Sequence, residues 1–211
     1  MKNFILNRNE YFSTLSSNLN VLDIGCVNHN LTQYKVGEWL HNILKKSAKS
    51  LVGIDKETDC IDILKNQGYD VYAVDAENFN LNKKFDLIVA GEVMEHLSNP
   101  GNFLDCAKAH LYTDGQLVIS VPNASSLNYF IQNLFFEHEK DNTDHCLLFS
   151  KITITRLLEK HGFNVKSINY CTEQNWDGSG ISHICRKYLG YICSIFRPNL
   201  CHHLVVLASL K

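Results

Sequence analysis

FDLIVAGEVMEHL, residues 85–97, decides how this chain reads. Residues 85–90 form an apolar run with the length and composition of a buried strand, and the run stops at Gly91. Residues 92–97 then read as the opening of a helix. At helical pitch Glu92, Glu95 and His96 fall at i, i+3 and i+4 and share one face. The carboxyl ends of parallel strands are where open α/β sheets hold their ligands. Three side chains able to bind a metal or handle a proton therefore leave the sheet at the edge where chemistry is expected. The spacing alone also suits a plainer role, in which the two glutamates complement the helix dipole and His96 is a satisfied, half-buried residue.

Outward from this stretch, Val-, Ile- and Leu-rich runs recur: VLDIG at 21–25, LVGID at 51–55, VYAVD at 71–75 and QLVISV at 116–121. Helical patterns separate them, which predicts a parallel sheet covered on both faces. Residues 35–46 carry a core-facing stripe of Val36, Trp39, Leu40, Ile43 and Leu44. A second helix begins at Pro100, buries Phe103, Leu104, Ala107 and Leu111, and stops before Gly115. A third is capped by Ser150 and ends at Gly162. FNVKSINYC (163–171) and HHLVVLASL (202–210) complete seven strands. With no repeats, low-complexity tracts or Pro-rich linkers, residues 1–211 read as one domain.

Two insertions break the rhythm. Residues 123–144 hold Leu127, Tyr129, Phe130, Ile131, Leu134, Phe135 and Phe136, which suits a lid or substrate wall as well as an ordinary core helix. Residues 173–199 place Ile181, Ile184, Tyr188, Ile192 and Ile195 on one helical face. That face fits a cap over the site, a dimer contact, or peripheral membrane contact through 181–197.

Composition narrows the classes. A 211-residue chain with 45% hydrophobic and 20% charged residues buries a full core. A formal charge of −2 gives no general attraction to a nucleic-acid backbone and disfavours duplex binding. The N-terminal MKNFILNRNEYF is too polar for a secretory signal, and no run reaches the roughly 20 apolar residues of a membrane span, so a cytoplasmic protein is expected. Eight cysteines lack any C-x-x-C pair and read as reduced core thiols. Cys201, His202 and His203 enter a strand and read as structural, metal binding being the alternative.

VLDIGCVNH (21–29) resembles the first motif of class I S-adenosylmethionine-dependent methyltransferases, and the match continues in order through LVGID, the Asp75-Ala76-Glu77 stretch, FDLIVAGEVMEHL and HLYTDGQLVISVPN. The resemblance covers roughly residues 20–165. It implies an α/β, Rossmann-like, seven-stranded and mostly parallel sheet in the order 3-2-1-4-5-7-6, closed by an antiparallel strand at 202–210. It also implies S-adenosylmethionine as cofactor. Asp23, Gly25 and Cys26 would line the first turn, Asp55 and Lys56 would stand at the ribose, Asp75 and Ala76 at the adenine, and Gly91 at the transferred methyl group. A carboxylate ending the second strand is independently the general device for holding a ribose diol. The turn lacks the G-x-G-x-x-G of dinucleotide enzymes, since Val27 and Asn30 replace the later glycines, which disfavours an NAD-dependent oxidoreductase.

Within the superfamily, GEVMEHLSNP (91–100) and DHCLLFS (144–150) resemble a branch that includes ubiquinone-pathway O-methyltransferases, glycan-cluster methyltransferases and small-RNA 2′-O-methyltransferases. In the RNA enzymes the matching residues bind a divalent ion, which implies Glu92, Glu95, His96 and His145 as ligands here, a mixed O/N set suited to Mg²⁺ or Mn²⁺. His145 or His96 acting as a general base oriented by Glu95, or catalysis by proximity alone, are the competing readings. The compact acidic chain favours a sugar, glycan or other small hydroxylated acceptor over RNA. A noncatalytic binding protein on the same fold is the alternative from another class. A monomer and a homodimer are both compatible with the sequence.

Overall fold

The computed structural model describes residues 4–27, 39–135, 143–172 and 196–211. Its centre is an eight-stranded sheet: β1 (Phe4–Ile5), β2 (Asn20–Ile24), β3 (Ser50–Asp55), β4 (Val71–Ala73), β5 (Phe85–Gly91), β6 (Leu111–Pro122), β7 (Phe163–Cys171) and β8 (His203–Leu210), in the order β1-β7-β8-β6-β5-β2-β3-β4. Only β8 runs antiparallel to its neighbours. From β2 onward the order is the expected one. The strand count is corrected from seven to eight, because Phe4–Ile5 adds a parallel edge pair against Tyr170–Cys171 that is too short to leave a periodic signal.

The helices are α1 (Arg8–Leu15), α2 (Leu40–Ser47), α3 (Thr58–Asn66), α4 (Pro100–His110), α5 (Leu127–Phe135) and α6 (Lys151–Lys160). Their ends follow local chemistry. Asn99 accepts from the Asn102 N–H ahead of Pro100, and Ser150 forms a reciprocal capping box with Thr153. The packing of β5 accounts for its apolar run from Leu87 to Ala90. Ile88 and Ala90 join the cluster beneath α4 and α6, Leu87 and Val89 join the cluster containing Phe12 and Leu44, and all four are fully buried.

Parallel register carries Ile24, Asp55, Ala73 and Gly91 to one edge of the sheet. β4 ends at Ala73, two residues short of the expected run, and Val74 N–H donates to the Asp55 carbonyl. The helix expected over 35–46 is corrected to start at Leu40, because Trp39 is its extended N-cap with a ψ of 125° and is buried ahead of the first turn; residues 35–38 lie outside the described residues. Of the two insertions, 136–142 and 173–195 also lie outside them, including most of the face assigned to membrane contact or dimerisation. Six described cysteines are free, but Cys146 is exposed and Cys60 and Cys106 are half-buried, so the core-thiol expectation holds only for Cys26, Cys171 and Cys201. No helix among the described residues is long and apolar enough to cross a membrane.

Candidate active site

The strand edge forms two adjoining groups. At the first, β2 is followed by Gly25, whose φ of +75° is readily adopted only by glycine. A Cβ there would also stand 2.6 Å from Val93 Cγ2. The N–H groups of Gly25 and Cys26 both donate to the Ile54 carbonyl, which pins the turn to β3. Asp55 ends β3 with both oxygens oriented: Oδ2 accepts from Val27 N–H at 2.9 Å and Oδ1 from Glu57 N–H at 3.1 Å. Each carboxylate oxygen has a second lone pair, so the half-buried Asp55 is held in place while keeping the capacity to accept from a diol. Lys56 beside it is exposed. In the next loop Asp75 is exposed, its Oδ1 accepts from Glu77 N–H at 2.8 Å, and Ala76 is half-buried.

Asp23 and Cys26 lie beneath this turn, both 1% exposed. Asp23 Oδ2 accepts from His41 Nδ1–H at 2.9 Å, while Oδ1 is buried without a hydrogen-bond partner. Burial raises the Asp23 carboxyl above its ordinary range, and His41 only partly opposes this. Burial, reinforced by Asp23 and Asp55, pushes the Cys26 thiol far upward, so it stays protonated. Cys26 therefore serves through its backbone, its carbonyl accepting from Trp39 Nε1–H at 2.8 Å. His41 is a site residue that the sequence does not announce, since a lone His on a helical stripe has no distinguishing pattern.

The second group follows β5. The expected α-helical face at Glu92, Glu95 and His96 is corrected: Glu92 adopts a φ of +57° and residues Met94–His96 form a single 3-10 turn. The left-handed residue breaks the i, i+3, i+4 phase. It turns Glu92 toward Arg8 Nη1 at 2.9 Å and His203 Nδ1 at 3.0 Å, while the turn brings Glu95 and His96 to His145. One ligating atom from each of Glu95, His96 and His145 lies within 4.8 Å of the others, and Glu92 is outside this group. The His96 and His145 rings meet edge-on at 4.7 Å. The loop bearing His145 is anchored by Cys146 and Leu147 N–H groups, which donate to the Glu95 carbonyl at 2.7 and 3.1 Å. His96 Nδ1–H donates to the Asp144 carbonyl at 3.1 Å, leaving the lone pair on Nε2.

Electrostatics divide the two glutamates. Burial is the largest influence on Glu92 and works to raise it, but His203, Arg8 and Ser120 together outweigh burial and hold its carboxyl far below the usual range. Glu95 is fully buried, no basic side chain pairs with its carboxyl oxygens, and burial with the Glu92 charge beside it pushes the group up to about 9, so without a cation it holds its proton. A buried carboxylate that lacks donors is unfavourable unless a cation meets it. The Glu95 oxygens and two imidazoles are a donor set that fits a small divalent ion. Arg8, Ser120 and His203 are further site residues invisible in the sequence, because they reach Glu92 only through the fold. Cys201, His202 and His203 form no metal-competent cluster among the described residues, and His203 is engaged by Glu92.

A family model for the methyltransferase domain matches residues 2–168, and the chain belongs to the S-adenosylmethionine-dependent methyltransferases. It is 27% identical over 169 residues to the mitochondrial ubiquinone biosynthesis O-methyltransferase of Rattus norvegicus, a match that covers 72% of this chain and 46% of that protein. The chain spans less than half the length of the curated relatives it matches. Its fold is similar to a SAM-dependent methyltransferase from Archaeoglobus fulgidus, with a TM-score of 0.64 at 20% identity over 94% of this chain and 89% of the other. Magnesium protoporphyrin IX methyltransferase from Synechocystis PCC 6803, solved with bound SAH, gives 0.62 at 12% identity over 96% of this chain and 82% of the other.

Proposed function

We propose that this protein is an O-methyltransferase that moves the methyl group of S-adenosylmethionine to a hydroxyl of a sugar, glycan or other small hydroxylated acceptor, assisted by a divalent ion. The observation that carries the reading is the buried Glu95 carboxyl group facing His96 and His145 at the strand edge that also holds Gly25 and Asp55. In this reading Asp55 accepts from the ribose hydroxyls, Asp75 and Ala76 border the adenine, and Gly25 admits the methionine end close to the backbone. Lys56 flanks the ribose from solvent. Asp23 acts from below, holding the turn through His41. Gly91 and the following turn face the transferred methyl.

The bound cofactor supplies a sulfonium methyl group, and a bound Mg²⁺ or Mn²⁺ supplies positive charge that acidifies a coordinated hydroxyl. Glu95, His96 and His145 would hold the ion. The acceptor oxygen forms its bond to the methyl carbon as the carbon–sulfur bond breaks, the bonding pair staying on sulfur as a thioether. With His145 holding the ion, the hydroxyl proton would pass to water at the half-exposed mouth. That the rat relative is an O-methyltransferase supports oxygen as the target atom. A cytoplasmic location, a single domain over 1–211 and a monomer or homodimer belong to the same proposal.

The test pairs methyl-labelled cofactor with panels of sugars, phenols and short RNAs, with and without chelator. Label appearing in a sugar or phenol and lost with chelator supports the reading. Label in RNA redirects the acceptor class, and full transfer in excess chelator removes the metal. Manganese binding, read by electron paramagnetic resonance on wild type and Glu95→Ala, tests the ion without turnover. Retained binding in the variant overturns the assignment.

A further inference from the structure

Glu92 is the first carboxylate beyond β5, yet its side chain is committed elsewhere. Its N–H donates to the Ser120 carbonyl at 3.0 Å, Oε1 lies 2.9 Å from Arg8 Nη1, and Oε2 lies 3.0 Å from His203 Nδ1. Arg8 Nη1 also donates to the Ser120 hydroxyl at 3.3 Å. Arg8 opens α1, Ser120 lies in β6 and His203 opens β8, so Glu92 ties its own turn after β5 to three elements distant in the chain. The backbone accepts a left-handed conformation at Glu92 that a residue with a Cβ disfavours. Such a conformation persists where its surroundings over-determine it.

We infer that Glu92 is a positioning residue, a latch that seats the start of α1 and the start of β8 against the catalytic turn, and not a fourth ligand of the ion. This rests on the reading of Glu95, His96 and His145 as the metal group. Three features carry it. Glu92 stands outside the trio whose ligating atoms converge. Each of its oxygens already faces a nitrogen partner. A guanidinium 2.9 Å from Oε1 repels a divalent ion brought to the same carboxylate. The latch also holds α1 where Phe12 approaches the catalytic edge, a Cβ on Gly91 coming within 3.5 Å of Phe12 Cε2.

The test uses the full chain with Glu92→Gln, Arg8→Gln, the double variant and Arg8→Lys, reading manganese affinity by paramagnetic resonance and amide exchange across residues 8–15. The latch predicts about tenfold faster exchange in either Gln variant, no further gain in the double variant, and substantial rescue in Arg8→Lys, since interacting pairs are non-additive. Manganese should still bind every variant, with Glu92→Gln altering affinity only through the charge removed beside Glu95. Manganese binding lost in Glu92→Gln but kept in Arg8→Gln identifies a ligand and overturns the inference, as does unchanged exchange in both. Should Glu92→Gln fail to fold, Arg8→Gln decides by exchange alone. If wild type binds no manganese the metal reading fails separately, and the exchange arm still decides whether the latch exists.

Discussion

Replacing Asp55 with alanine should cost most of the affinity for S-adenosylmethionine, and the size of the loss depends on how the carboxylate is held. Val27 and Glu57 N–H groups fix its two oxygens at 2.9 and 3.1 Å, leaving one lone pair on each for a ribose hydroxyl. A hydrogen bond to a charged acceptor is worth about 1.5–3 kcal/mol. Because Asp55 is half-buried and water replaces part of what is lost, the two bonds together sit near the lower bound, ~3 kcal/mol, or roughly a hundredfold in Kd. Asp55→Asn should be nearly as damaging. One oxygen becomes an amide donor, which must face either the Val27 or the Glu57 N–H and so sets donor against donor. Titration calorimetry with S-adenosylmethionine or S-adenosylhomocysteine on the three proteins measures this directly. A change below about threefold in Asp55→Ala, in a protein that still folds, would refute the assignment of the ribose to this strand end.

Gly25→Ala combines a left-handed backbone with a contact 2.6 Å from Val93 Cγ2, and should lower Tm by about 5 °C and weaken cofactor binding. Gly68→Ala has φ +84° but nothing within 4 Å of the new Cβ, so it should lose only the conformational part of that stability and leave binding intact. Asp23 titrates with a raised folded-state value, so the folded protein retains a proton that the unfolded chain releases above about pH 4. Its contribution to stability therefore falls as pH rises from there toward the raised value. Denaturant titrations from pH 4 to 7 should show Asp23→Asn gaining on wild type as pH increases, and parallel profiles would contradict the burial argument. His145→Ala should cut turnover by about a hundredfold or more while S-adenosylhomocysteine affinity stays unchanged; a matching loss of affinity would move His145 out of the acceptor side of the site.

Much of the architecture was legible because it is written in local chemistry. The strands of a doubly covered sheet must be apolar on both faces, as Leu87 through Ala90 are, and the caps at Asn99 and Ser150 are specific side-chain devices. The glycine turn after β2 and the aspartate that ends β3 were legible for the same reason, as strand-end chemistry. The turn after β5 was only half legible. Nothing in a glutamate signals a left-handed φ, so a helical face was expected where Glu92 in fact reverses the chain. The partners that hold it there, Arg8, Ser120 and His203, come from distant parts of the sequence and meet through β-sheet register that no local pattern encodes. The same is true of the buried Asp23–His41 pair. β1 escaped notice because two residues have no period.

The most direct test is a crystal structure of the protein with S-adenosylhomocysteine. Both ribose hydroxyls should lie within hydrogen-bond distance of the Asp55 carboxylate, with the adenine beside Asp75 and Ala76 and the sulfur directed toward the turn that carries Glu95 and His96. Adenosine bound away from Asp55, or a sulfur turned from that segment, would contradict the assignment.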